Sequence, residues 1–511
     1  MCQLYNNEAV RSLLYFKIKG KFFIIDKIIN AFYAYEVYIH MTNAANTTIP
    51  ELKRSPMDKI LCYTAMAFYI LLPIVEIITE VLKSTKIKTF RFMYPSYFQP
   101  YVVGLFGIIG TALVIATFVL RIVRKNFKLY VADVFYFTLL IFMLLSMIFS
   151  VNPGVFADGS PFYCEHPLHF LCYYFLFFAG SMIEDSELRK KLLASYFIVA
   201  LMQGIVAFLQ TYKIEIAYCL YFNNRVSKTS AYGLLQNTNF YGTLSCLLTA
   251  ACAGLFIFSS VIFKKKFFRT YFKWFIFATT LLVFYTMLAS NARLAWLGFA
   301  AMIFTYIISL IAMRKSNMDK ETLKKITIDF AIMLAGFIVI VAVTTLFTNY
   351  IVGRIKETAK DTVARVGEDG FGHGRGRIWR AALHSVPRHW VTGIGLDNLT
   401  QAFREMPGWT KGDYVQAKGH NEYIHMLATQ GVFAITNYVL LLLYAVVTTV
   451  KRIFTEKDDV KRCLCWLFLT MFAAYVSQAM LSSSIMNVAP YFWIILGLST
   501  QRIKPISFKK K

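Results

Sequence analysis

Apolar residues fill this chain in long unbroken runs. The runs lie near 60–82, 101–120, 130–150, 168–183, 192–212, 240–263, 274–290, 294–313, 328–350, 432–450, 463–481 and 485–500. At about 1.5 Å per residue a helix over each one approaches or exceeds the ~30 Å of a bilayer's hydrocarbon core. The pattern predicts an all-α integral membrane protein of about 12 transmembrane helices. The two shortest runs, 168–183 and 485–500, are expected to be tilted, re-entrant or merged segments. One long polar interval, 351–431, separates the ninth run from the tenth. The chain therefore divides into an N-terminal segment 1–59, nine spans over 60–350, a large loop 351–431, three spans over 432–500 and a basic tail 501–511.

Charge sets the expected orientation. Lys and Arg outnumber Asp and Glu, 54 against 28, but they cluster in short stretches between apolar runs rather than along one face. That distribution predicts membrane topology and argues against a nucleic-acid partner. With the N-terminus inside, the inner connections hold Arg121–Lys128, Arg189–Lys191, Lys264–Arg269, Arg314–Lys325 and Lys451–Arg462, and the tail holds Lys509–Lys511. The connection 151–167 has neither Lys nor Arg, whereas 83–100 breaks the rule with Lys83, Lys86, Lys88 and Arg91. Both termini are then expected inside and the 351–431 loop outside. The first 40 residues are basic and aromatic, as in an interfacial or disordered leader, and Met41 is an alternative start. Nine cysteines show no zinc-type spacing, so neither a disulfide framework nor a metal site is expected.

Candidate chemistry concentrates in the loop. The stretch Lys418-Gly-His-Asn-Glu-Tyr-Ile-His425 closes it and opens an apolar run, which puts His420 at a helix N-terminus. An imidazole there can take a proton from a hydroxyl. The string resembles a zinc-protease helix only superficially, because residues five apart differ by about 140° around a helix, so His420 and His425 do not share a face. Upstream, Gly370-Phe-Gly-His-Gly-Arg-Gly-Arg-Ile-Trp379 lacks the Lys-Ser/Thr pair of a phosphate loop and reads as a hinge. A short amphipathic helix is expected over Ile378–Ser385, ended by Pro387, with Arg375, Arg377 and Arg380 as alternatives for gripping a diphosphate. Arg293, in Ser290-Asn-Ala-Arg-Leu-Ala-Trp296, stands between two apolar runs, where an ionisable group is costly unless it snorkels or meets an anion or a partner. Asn237 and Asn239 mark another span end, as caps or cavity lining. Glu76 and Glu80, one turn apart in the first run, read as paired or interfacial carboxylates.

Together these motifs resemble the O-antigen ligase and polymerase superfamily in their order. Asn237–Asn239 comes first, then Ser290-Asn-Ala-Arg293, then Gly376-Arg377-Ile-Trp379, Pro387 and Thr392-Gly-Ile-Gly-Leu-Asp-Asn398, and last His420-Asn-Glu-Tyr-Ile-His with Gln430-Gly431. The family's usual Thr/Ser-x-Ser-Arg-Gly is replaced here by Ala289-Ser-Asn-Ala-Arg293-Leu. The resemblance implies an integral membrane glycosyltransferase of the bacterial cytoplasmic membrane, without metal or cofactor. It would move a glycan from a polyprenyl (undecaprenyl) diphosphate donor to a hydroxyl of a glycan, glycolipid or other acceptor. Arg293 and Arg377 would hold the diphosphate, His420 would orient or deprotonate the acceptor, and the spans and membrane lipids would house the polyprenyl tail. Arg375, Arg380, Asn239, Asn421 and Glu422 are candidate substrate ligands. The composition leans toward polymerase over ligase. The rival reading, a transporter or flippase of lipid-linked saccharides, predicts charged midplane residues and paired half-repeats, which the sequence does not display.

Overall fold

In this computed structural model, residues 56–84, 98–125, 127–154, 165–212, 231–235, 237–316, 318–347, 374–410 and 415–500 are described, with isolated positions at 353, 372, 502, 505 and 506. Residues 1–55, with the 40-residue leader and the Met41 question, and His373 lie outside the described residues, as does the side chain of Glu80.

Every apolar run becomes a helix. The helices are α1 (Pro56–Ser84), α2 (Gln99–Val123), α3 (Val131–Ile148), α4 (Pro167–Met182), α5 (Ser186–Thr211), α6 (Thr238–Ile257), α7 (Lys273–Ala289), α8 (Arg293–Arg314) and α9 (Lys320–Phe347). The loop contributes α10 (Arg375–His389) and α11 (Leu399–Arg404), and the chain continues through α12 (Glu422–Thr455), α13 (Asp459–Ala479) and α14 (Ala489–Ser499). No strand occurs among the described residues. Among the described residues ten helices are long and apolar enough to cross a membrane, while α4 and α14 are shorter. The architecture is therefore an all-α, multi-pass membrane bundle. Its outward side chains agree: Ile115, Ile122, Ile148, Phe304 and Ile338 are more than half exposed, an apolar surface suited to lipid rather than water.

Helix α6 forms the axis. Its apolar window is wholly buried, against 17% for the peripheral α9, and it packs on α5, α7, α8, α9 and α13. The short pair α4 and α14 lie against each other. Gly180 and Gly497 make that approach possible, because a Cβ on either would run into the other helix's backbone at Ile494 O or Phe177 O. The phenols of Tyr69 on α1 and Tyr196 on α5 donate to the Pro490 and Tyr491 carbonyls and tie the start of α14 to its neighbours.

Three boundaries differ from the sequence reading. Residues 56–59 belong to the first turns of α1 rather than to the leader. Helix α10 starts at Arg375, after a left-handed Gly374, and continues two residues past Pro387, whose missing N–H costs only one bond near the helix end. Helix α12 begins ten residues before its apolar run and breaks at Gly431, with φ 86° and ψ 176°. At the break Val432 N–H donates to Trp390 O at 2.7 Å, while the carbonyls of Ala428 and Thr429 accept from Ile394 and Gly395 at 2.9 and 3.0 Å. A Cβ at Gly431 would collide with the Val391 carbonyl, and one at Gly393 with Thr429. Glycine at both positions lets the turn 390–398 replace the missing helical bonds of α12.

Candidate active site

The segment 415–421, leading into α12, presents His420. Asn421 caps the helix, its side chain accepting from the N–H groups of Tyr423 and Ile424 at 3.0 Å each. His420 itself has a left-handed backbone, φ 47°, an uncommon state for a residue with a side chain. Its N–H donates to Ser483 Oγ at 3.0 Å, and the preceding Gly419 carbonyl accepts from Trp379 Nε1 of α10, also at 3.0 Å. The imidazole is thereby fixed between α10 and the 480–488 connection that joins α13 to α14. Burial first, and then the Arg375 guanidinium, push its pKa down to about 4. At neutral pH the ring is uncharged and able to accept a proton.

The three candidate arginines of α10 separate. Arg375 is the one in electrostatic contact with His420. Arg377 follows by two residues in the same first turn of α10 and is half-buried. Arg380 is exposed and lines a cavity of 660 Å³ with Trp379, Leu383, His384, Pro387 and Arg388.

Arg293 opens α8 directly after Ala292, which sits against Gly242 of α6. In the first turns of α6, Asn237 is the cap, accepting from Asn239 N–H at 2.8 Å. Thr243 Oγ1 donates to Asn239 O at 3.0 Å and meets Ser482 Oγ at 3.1 Å. Ser482 is next to Ser483, the partner of His420. Asn239, the start of α8 with Arg293, and His420 are thus gathered around one connection, 480–488. Glu422 lies deeper, with both oxygens engaged by Tyr438 OH at 2.8 Å and Tyr475 OH at 3.0 Å, and it ties α12 to α13.

Sequence reasoning missed that connection. Its far end continues into a buried polar chain in which Asn487 donates to Gln99 at 2.8 Å and Gln99 donates to Glu76 at 2.9 Å. The available signal was the Ser482-Ser-Ser484 interruption between two apolar runs. Also missed was the ion cluster beneath His420. Lys418 is buried between Glu165 and Asp397, 3.0 Å from the latter, and Tyr173 OH donates to Glu165. Among the described residues no three His, Cys, Asp or Glu side chains gather as a metal-binding group.

A half-buried histidine that feels the charge of an arginine, at one end of a multi-pass helical bundle, is a candidate site for moving a proton. Residues 277–439, about a third of the chain, match the family described as O-antigen ligase. The match agrees with the resemblance to the O-antigen ligase and polymerase superfamily drawn from the motifs, and it spans the segment from α7 to the first half of α12. The matched segment contains Arg293, Arg375, Arg377 and His420. No curated protein matches the chain.

Proposed function

We propose that the protein transfers a glycan from a polyprenyl diphosphate to an acceptor hydroxyl on the outer face of a bacterial cytoplasmic membrane, without metal or cofactor. The observation that carries this reading is the neutral His420 held beside Arg375 within the family-matching segment. In the transfer, the acceptor oxygen attacks the anomeric carbon as the bond to the diphosphate oxygen breaks. His420 takes the acceptor's proton, and the diphosphate leaves with the bonding pair. Charge develops on the leaving oxygens, so preorganised cations contribute most of the stabilisation. Arg375 and Arg293 serve that purpose, and Arg377 steadies the same group from the first turn of α10. Binding of the diphosphate offsets the Arg375 charge and raises the basicity of His420, which primes the base only when the donor is present. Asn239 lines the acceptor side, Asn421 and Glu422 hold the scaffold, and Arg380 contacts the donor's outer portion. Of the two activities, we take chain extension rather than ligation as the reading to test first.

The test is reconstitution with a synthetic polyprenyl-diphosphate oligosaccharide. His420→Ala is expected to lose about 10²–10⁴-fold in rate, the range for a general base, and Arg375→Gln and Arg293→Gln to lose turnover similarly. Retention of near wild-type transfer by all three sinks the proposal. A product ladder identifies a polymerase, and a single addition to a different acceptor a ligase. Movement of intact donor across the bilayer without bond cleavage would establish the transporter instead.

A further inference from the structure

We propose that the buried Glu165–Lys418–Asp397 cluster is the positioning device of the site, fixing the backbone from which His420 is presented. This inference rests on the transfer reading above. Lys418 lies two residues before His420, and its ammonium joins three segments distant in sequence: the approach to α4 (Glu165), the turn before α11 (Asp397) and the approach to α12. All three side chains are at most 3% exposed. Glu165 N–H also donates to Asp397 Oδ2 at 3.2 Å, so the two acidic segments are linked independently of the lysine. Asp397 is held in turn by its neighbour Asn398, whose side chain donates to Ser150 Oγ at 2.7 Å and to Asn152 O at 3.2 Å.

A left-handed His420 cannot be maintained by its own preference. It needs constraints on both sides. Ser483 and the Asn421 cap act on the ring's own residue and on the helix that follows, and the Lys418 anchor acts on the chain that precedes. The charge count gives the cluster its character. Burial opposes the Lys418 ammonium, but Asp397 and Glu165 outweigh it and hold its pKa above the ordinary lysine value. Two full carboxylates would leave one buried negative charge uncompensated. Burial raises the Glu165 pKa, and the Asp397 charge raises it further against the pull of Lys418. Both Glu165 oxygens are nonetheless engaged, one by Tyr173 OH and the other by the Lys418 ammonium, so the cluster is held by directed bonds as well as by charge. Tyr173 and His169 of α4 and Glu422 and His425 of α12 are the other titratable groups in electrostatic reach.

The full-length protein in nanodiscs provides the test, by steady-state kinetics, thermal melting and hydrogen exchange of the 415–421 peptide. Lys418→Met is expected to lower kcat about 10²-fold, the scale for misplacing a reacting group by about 1 Å. KM should stay within about threefold, since the arginines that hold the donor are untouched, and exchange at 415–421 should rise. Glu165→Gln leaves Lys418 paired with Asp397 and is expected to lower kcat by clearly less than Lys418→Met does. Lys418→Met/Asp397→Asn removes both charges, so it should recover the melting temperature but not kcat or the exchange protection. Recovery of kcat together with stability overturns the proposal, as does unchanged exchange in Lys418→Met or a Glu165→Gln loss equal to that of Lys418→Met. If His420→Ala retains full transfer while Lys418→Met still raises exchange, the transfer reading fails and the anchoring of the 415–421 backbone stands.

Discussion

His420 is governed by two neighbours of opposite effect: the protein interior, which denies it a charge, and whatever anion sits at Arg375. Arg375→Gln removes the nearest positive charge, so the His420 pKa rises from about 4 toward the ordinary value near 6.5. The acid limb of kcat/KM for the free enzyme should move up with it, read directly from a pH–rate profile. The same shift has a stability consequence. Between pH 6.5 and 4 the unfolded chain protonates this histidine and the folded protein does not, so His420 makes the protein less stable as pH falls through that window. Melting temperature of wild type against Arg375→Gln, measured across it, should show a shallower acid decline in the variant. His420 and Arg293 were legible in the sequence because each is a polar residue pinned to the edge of an apolar run. The bond from His420 to Ser483 and the pairing of Lys418 with Glu165 were not, because they join residues 63 and 253 positions apart.

At the scale of elements, each apolar run predicted a helix, because a long apolar stretch in lipid admits few other structures. The tenth run did not predict where α12 begins. Its first turns, with Glu422 and Gln430, are too polar for a membrane run; it was the polar stretch 418–425 that marked a helix N-terminus at His420, two residues before the observed start at Glu422. The exchange of bonds at Gly431 is open to test. Gly431→Ala places a Cβ at positive φ, costing about 1–2 kcal/mol, and drives it into the Val391 carbonyl. The variant should melt at lower temperature in detergent. The 390–398 turn, which loses its partners on α12, should become the first site of proteolytic nicking.

For the whole molecule, polar links buried among the helices decide how the ends of the bundle are arranged. The chain from Glu76 through Gln99 to Asn487 couples α1 and α2 to the 480–488 connection. Gln203 of α5 joins it by donating to the other oxygen of Glu76 at 3.4 Å. Asn487→Leu leaves the Gln99 carbonyl without that donor, at a cost of about 1–3 kcal/mol, and should lower the melting temperature while also slowing transfer, because the connection carries Ser483. No periodicity in the sequence announces this chain, since each of its members is a single polar residue in an otherwise apolar segment. Helix α14 adds a last point. Its 11 residues rise about 17 Å, against about 30 Å of hydrocarbon. The non-helical stretch before it is bonded to α2, to α6 and to the approach to α12. On the transfer reading, a head group carried by a lipid tail would then not need to be hoisted clear of the bilayer to reach Ser483 and His420, because so short a helix leaves their connection short of the full hydrocarbon thickness.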